Sequence, residues 1–149
     1  MPDQLSLTPR QRQDLRTIAA MIVPPSEEYR VPGADDEIIQ ADIIATLGRD
    51  ARLVAAALDH LARLAGMPLS DLEAAARENI AQQFRSSGGA PAATLVRVVL
   101  QCYYRDDRVL RSLGLDLRAP FPKGYVLPDG DWSLLDPVKA RAGTLRRAT

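Results

Sequence analysis

The chain has 149 residues, 46% hydrophobic and 26% charged, with 19 Lys plus Arg against 19 Asp plus Glu and a single His. That composition is globular, and the length allows one ordinary domain with a real core. Zero formal charge argues against a nucleic-acid or anionic-membrane binder working through surplus Lys and Arg, and the lone Cys102 excludes an intrachain disulfide framework or a Cys-based zinc site.

Met1 to Leu7 has neither the basic start nor the apolar core of a signal peptide, so the chain is not expected to direct its own export. Thr8-Pro9-Arg10-Gln11 has the form of a helix start. The Thr8 hydroxyl can cap free backbone N–H groups, Pro9 suits the first position, and Gln11 completes a capping box. Leu15, Ile18, Ala19 and Ile22 then recur at helical spacing until Pro24-Pro25 stops the run. A polar loop from Ser26 to Ala34 follows, containing Tyr29 and a Pro32-Gly33 turn signal.

The second helix is expected from Asp35 or Asp36 to Gly48, with Ile39, Ile43, Ile44 and Leu47 inward. Asp50 can cap a third, striped by Leu53, Ala57, Leu61 and Leu64 and closed by Gly66. Ser70-Asp71-Leu72-Glu73 reads as a capping box opening a fourth helix through Leu72, Ala76, Ile80 and Phe84. Ser86-Ser87-Gly88-Gly89 reads as a flexible link, after which Pro91 restarts a fifth helix with Leu95, Val98, Val99 and Cys102. A short sixth spans about 107–113 and ends at Gly114.

No strand-like alternation persists in this region, and no apolar run approaches the ~20 residues of a membrane span. The predicted fold class is all-α: a body of five or six helices over residues 1–114, then an extended, Pro-rich, largely non-regular segment over 115–149. In that segment Pro120, Pro122, Pro128 and Pro137 alternate with Phe121, Tyr125, Trp132, Leu134 and Leu135. Such a segment must either wrap its own helices or lie on another protein; aromatic anchors in a non-helical segment are a common interface device, so part of it is expected to lie on another protein.

Catalytic equipment is sparse. His60 has no second His for a metal site and sits beside an apolar stripe, as a boundary histidine would. Cys102 falls on an apolar helix face with no His nearby in sequence, which reads as a buried thiol. Ser86 to Gly89 lacks the spacing of a phosphate-binding loop. The pairs Glu27-Glu28, Asp35-Asp36 and Asp106-Asp107 lack calcium-loop spacing, and the last two stand where helix caps are wanted. No catalytic, cofactor-binding or metal-ligating residue is therefore assigned. Tyr103-Tyr104-Arg105-Asp106-Asp107-Arg108 is the densest polar and aromatic cluster; it reads either as a helix end with local ion pairs or as a contact patch. The cations are 17 Arg with only Lys123 and Lys139, which either suits bidentate pairing at interfaces or reflects genome composition alone.

Taken as a set, several segments resemble the gluconate 2-dehydrogenase subunit 3 family. They are Leu7-Thr8-Pro9 running to Ile22-Val23-Pro24-Pro25, Tyr103 to Val109, Pro120-Phe121-Pro122-Lys123-Gly124-Tyr125, and Trp132 to Val138. Residues 50–95 match only as generic helix. The resemblance implies a small accessory subunit, without cofactor of its own, that stabilises a large glucose-methanol-choline type oxidoreductase. That partner carries FAD and the catalytic histidines and oxidises a sugar or alcohol by hydride transfer to flavin. The chain departs from exported members in having no twin-arginine segment, which implies a cytoplasmic complex, or a periplasmic one if the partner carries the export signal. Some exported members bear a Cys proposed to link the two subunits; that role is not carried onto Cys102. The expected partner-binding residues are Tyr103, Tyr104, Arg105, Phe121, Tyr125, Trp132 and Leu135. Two other readings stay open: a self-contained helical enzyme using His60 with Cys102 or a carboxylate, and a helical adaptor for an unrelated protein.

Overall fold

The computed structural model describes residues 6–117, 124 and 129–141. The fold is all-α. Its helices are α1 (Pro9–Ile22), α2 (Glu37–Thr46), α3 (Ala51–Ala65), α4 (Ala74–Ser87), α5 (Gly89–Tyr103), α6 (Asp107–Ser112) and α7 (Asp136–Ala140), with 3-10 turns at Gly48–Asp50, Leu69–Asp71 and Trp132–Leu135. Among the described residues there is no strand, only an isolated antiparallel bridge between Ser26 and Val31. No described helix is long and apolar enough to cross a membrane. The chain divides into two units, Met1–Leu117 and Arg118–Thr149.

In the first unit α3 is central, packing against α5, α4 and α1, while α2 packs on α5. The α1 entry forms as its residues dictate. Gln11 N–H donates to Thr8 Oγ1 at 3.2 Å and Thr8 N–H to Gln11 Oε1 at 2.9 Å, so two otherwise unmatched donors are satisfied reciprocally. Leu15, Ile18 and Ala19 are buried as the periodicity requires. Asp36 opens α2 by accepting from the N–H groups of Ile38 and Ile39. Gly66 ends α3 in the left-handed region at φ +70°, open to glycine without strain.

Four local expectations are corrected by tertiary structure. The inward face of α3 is Val54, Ala57, Leu58 and Leu61, with Leu64 partly buried against the core, whereas Leu53 is exposed, because the packed arc is centred on the Val54–Leu58–Leu61 line and leaves position 53 at its edge. Asp50 makes no cap: residues 48–50 already turn helically into α3, and its carboxylate pairs with Arg97 at 2.9 Å. Ser70 opens no helix. Leu69 is buried and its N–H is held by Asp14 at 2.9 Å, which fixes 69–71 as a separate turn and delays α4 to Ala74. The expected flexible link is instead a tight corner. α4 runs through Ser87 and α5 starts at Gly89, with Gly88 alone between them. A Cβ on Gly88 would lie 2.6 Å from the Phe84 carbonyl oxygen and collide with Ala92, so glycine here permits a close approach rather than motion.

The second unit also departs from expectation where it is described. Trp132–Leu135 and Asp136–Ala140 form consecutive helical turns, with Pro137 inside the first turn of α7, where its missing N–H costs nothing. Asp131 caps this piece, accepting from Ser133 N–H at 3.0 Å.

Candidate functional site

The cluster from Tyr103 to Arg108 bridges the end of α5 and the start of α6, and its members separate sharply. Tyr103 is 4% exposed and belongs to the core. Burial pushes its phenol up, with the neighbouring Tyr104 and Asp106 adding to the effect. Tyr104 is exposed and meets Tyr103 edge-on, ring centroids 5.2 Å apart. A partner can therefore reach Tyr104, while Tyr103 serves as its internal support.

The two arginines turn inward to other helices. Arg105 pairs with Asp42 on α2 at 2.6 Å and donates from Nη2 to Thr46 Oγ1 at 2.9 Å. The Thr46 hydroxyl donates to the Asp42 carbonyl at 2.7 Å, and the Cys102 sulfur lies 3.6 Å from both Thr46 Oγ1 and Arg105 Nη2. Burial pushes the Cys102 thiol up, opposed by the Thr46 contact and the Arg105 charge. A buried, raised thiol is a poor nucleophile at neutral pH.

Arg108 makes a double clamp. Its Nε and Nη2 donate to Asp106 at 3.0 and 2.9 Å, and its Nη1 and Nη2 to Asp36 at 3.2 and 2.7 Å. Asp106 also caps α6 through Arg108 N–H, so one guanidinium ties the starts of α2 and α6 together. The Arg108 hydrogen bonds hold both carboxyls below the usual carboxylate range, partly offset by desolvation. Asp42, Arg105, Asp106 and Arg108 line a cleft of about 490 Å³ floored by Ile39 and Cys102. Each of these four charged side chains already faces an opposite charge, while Asp107, also in the wall, is exposed and 3.8 Å from Arg111.

His60 lies on α3 with Nε2 2.8 Å from Ser87 Oγ and its ring 6.0 Å from that of Phe84. Ser87 has one hydroxyl proton and donates it to the Gln83 carbonyl at 2.7 Å. Where the hydroxyl keeps that bond the imidazole donates to Ser87 from Nε2, the direction following the His60 tautomer. The partners of His60 and of Cys102 lie on different elements, α4 for one and α2 with the α5–α6 turn for the other. Among the described residues no group of three or more His, Cys, Asp or Glu is placed to hold a metal ion.

Trp132 and Leu135 are exposed, at 71% and 42%, beside exposed Leu134 and Val138. Phe121 and Tyr125 lie outside the described residues. Sequence reasoning passed over Asp14, which is 1% exposed and accepts from Leu69 N–H at 2.9 Å and Arg10 Nε at 3.4 Å. Its signal was present: position 14 falls on the face of Leu15 and Ile18, where a carboxylate needs a partner. Compared with protein-family models, curated proteins and solved structures, the chain matches none.

Proposed function

We propose that this chain is a non-catalytic small subunit that binds and stabilises a glucose-methanol-choline type, FAD-dependent sugar or alcohol dehydrogenase. The observation that carries the reading is the distribution of exposed apolar side chains. Of twelve large hydrophobics exposed among the described residues, eight fall between Tyr104 and Val138: Tyr104, Leu113, Leu115, Leu117, Trp132, Leu134, Leu135 and Val138. Single exposed leucines are ordinary; the runs within each unit, Leu113 to Leu117 in the first and Trp132 to Val138 in the second, support contact with a partner. The same stretch carries two of the segments that resemble the subunit 3 family. His60 and Cys102, both engaged in ordinary structural contacts, support the assignment of chemistry to the partner's flavin.

The test is co-expression with an FAD-containing dehydrogenase of this type, followed by affinity purification through a tag on that enzyme. The small chain is expected to co-purify and to raise the yield of soluble flavoprotein. Trp132→Ala should then weaken association by ~2 kcal/mol or more, about thirtyfold, if the indole is an anchor. His60→Ala should leave turnover of the complex nearly unchanged. Carbinol oxidation by the isolated 149-residue chain would refute the reading.

A further inference from the structure

A groove of about 850 Å³ runs along α1, α4 and α5, wholly within the first unit. Its apolar side chains are recessed: Ile18 and Phe84 are buried, and Met21, Ile22, Val96 and Leu100 are half-buried. Small-molecule sites typically enclose ~300–1,000 Å³, are lined mostly by apolar side chains and often lie between helices. A recess without a protruding ring or leucine suits a slender occupant better than the face of another protein.

The rim is polar, and its charges are unequally placed. Arg85 stands on the last turn of α4, at the corner where α5 begins, and has no ion-pair partner among the described residues. Glu78, also without one, lies two helical turns or about 10 Å back along α4. Arg97 on the α5 side is already engaged by Asp50 and Gln101. The one free cation is therefore at the corner. From there the lining continues on α5 from Gly89 to Leu100, about 16 Å of helix. That is about the length of a twelve-carbon chain whose ~1.5 Å bonds zigzag.

We propose that this groove binds a free, single-chain fatty acid, its carboxylate on Arg85 at the α4–α5 corner and its tail laid along α5 toward Val96 and Leu100. The guanidinium recognises the head, the recessed side chains take the methylenes out of water, and Glu78 repels a carboxylate bound the other way round. A free acid fits better than a bilayer lipid. The groove's apolar atoms lie below its rim rather than reaching out, and a formally neutral chain has no surplus charge to hold it on an anionic membrane. The inference stands on the groove alone, whatever dehydrogenase the chain serves.

Isothermal titration of the full chain with sodium dodecanoate, below its micellar concentration, tests it, with far-UV circular dichroism confirming that each variant is helical. One saturable site with a micromolar Kd is expected. Decanoate and then octanoate should each bind at least about threefold more weakly, as two methylenes are lost at each step. Arg85 is exposed, so its variants probe the head without disturbing the core. Arg85→Gln should weaken dodecanoate at least about threefold, and Arg85→Glu should reverse the preference, so that dodecyltrimethylammonium binds more tightly than dodecanoate. Val96→Glu, which puts a carboxylate among the tail contacts, should abolish dodecanoate binding, whereas Glu78→Gln should not weaken it. The absence of saturable dodecanoate binding overturns the proposal, as does an affinity indifferent to chain length, to Arg85→Gln or to Val96→Glu. Binding to phosphatidylglycerol vesicles with none to free dodecanoate also overturns it, in favour of a membrane contact.

Discussion

Removal of Arg108 probes how the starts of α2 and α6 are joined. Its guanidinium makes four hydrogen bonds to two carboxylates, each of which also caps a helix. Buried charge-assisted bonds are worth about 1.5–3 kcal/mol apiece, but exposed ion pairs only about 0.2–1 kcal/mol. The side chains here are 36% exposed for Arg108, 25% for Asp36 and 9% for Asp106, so the surface scale applies to Asp36 and something above it to Asp106. Together the two pairs should contribute about 1–2 kcal/mol, or roughly 3–6 °C in Tm for a domain of this size. Arg108→Ala should lose that much in urea titration followed by circular dichroism at pH 7. Arg108→Lys should lose more than half of it, because one ammonium cannot bridge two bidentate carboxylates.

The pH dependence has a definite sign. Asp36 and Asp106 have folded-state values lowered by Arg108, so their contribution is present above the unfolded carboxylate value near 3.9 and is lost as pH falls through the lower folded values. The wild-type chain should therefore lose more stability between pH 5 and pH 2 than Arg108→Ala does. Equal acid sensitivity, with a difference below about 0.3 kcal/mol at pH 7, would refute the clamp as an energetic feature.

Three further expectations follow from buried contacts. Asp14→Ala should cost about 1–3 kcal/mol by leaving the Leu69 N–H without its acceptor, whereas Asp14→Asn, which keeps an acceptor oxygen, should cost distinctly less; equal losses in urea titration would contradict this. Gly88→Ala should destabilise by about 1–3 kcal/mol, because the added methyl meets the Phe84 carbonyl and Ala92, although glycine-to-alanine changes near helices usually stabilise; a rise in Tm would overturn the close-corner account. Cys102 should react with a thiol-specific disulfide reagent at least about tenfold more slowly in the native chain than in urea at the same pH, since it is buried and its thiol is pushed up; comparable rates would place it at an open site.

What the sequence determined by itself was chiefly local. The Thr8–Gln11 box, the Gly66 stop, the Asp36 and Asp106 caps and the stripe of Leu15, Ile18 and Ala19 depend on neighbours within a few residues, and all are found in the structure. The all-α class follows from that same short-range periodicity. Tertiary structure decided the features whose partners are far apart along the chain. Asp14 holds Leu69, Arg105 reaches Asp42 and Arg108 reaches Asp36, and no spacing rule anticipates such pairs. The same distant contacts explain where local rules failed: Ser70 lost its capping role because Leu69 was held elsewhere, and Gly88 became a corner because α4 and α5 both needed to pack on α3. In the cluster from Tyr103 to Arg108, residue types alone left an interface and a helix end equally open; packing buried Tyr103, paired the part-exposed Arg105 and Arg108 with carboxylates of α2 and its cap, and left Tyr104 outside. Burial is a property of the assembled helices, so whether a ring such as Tyr103 or Tyr104 stands inside or outside is decided only there.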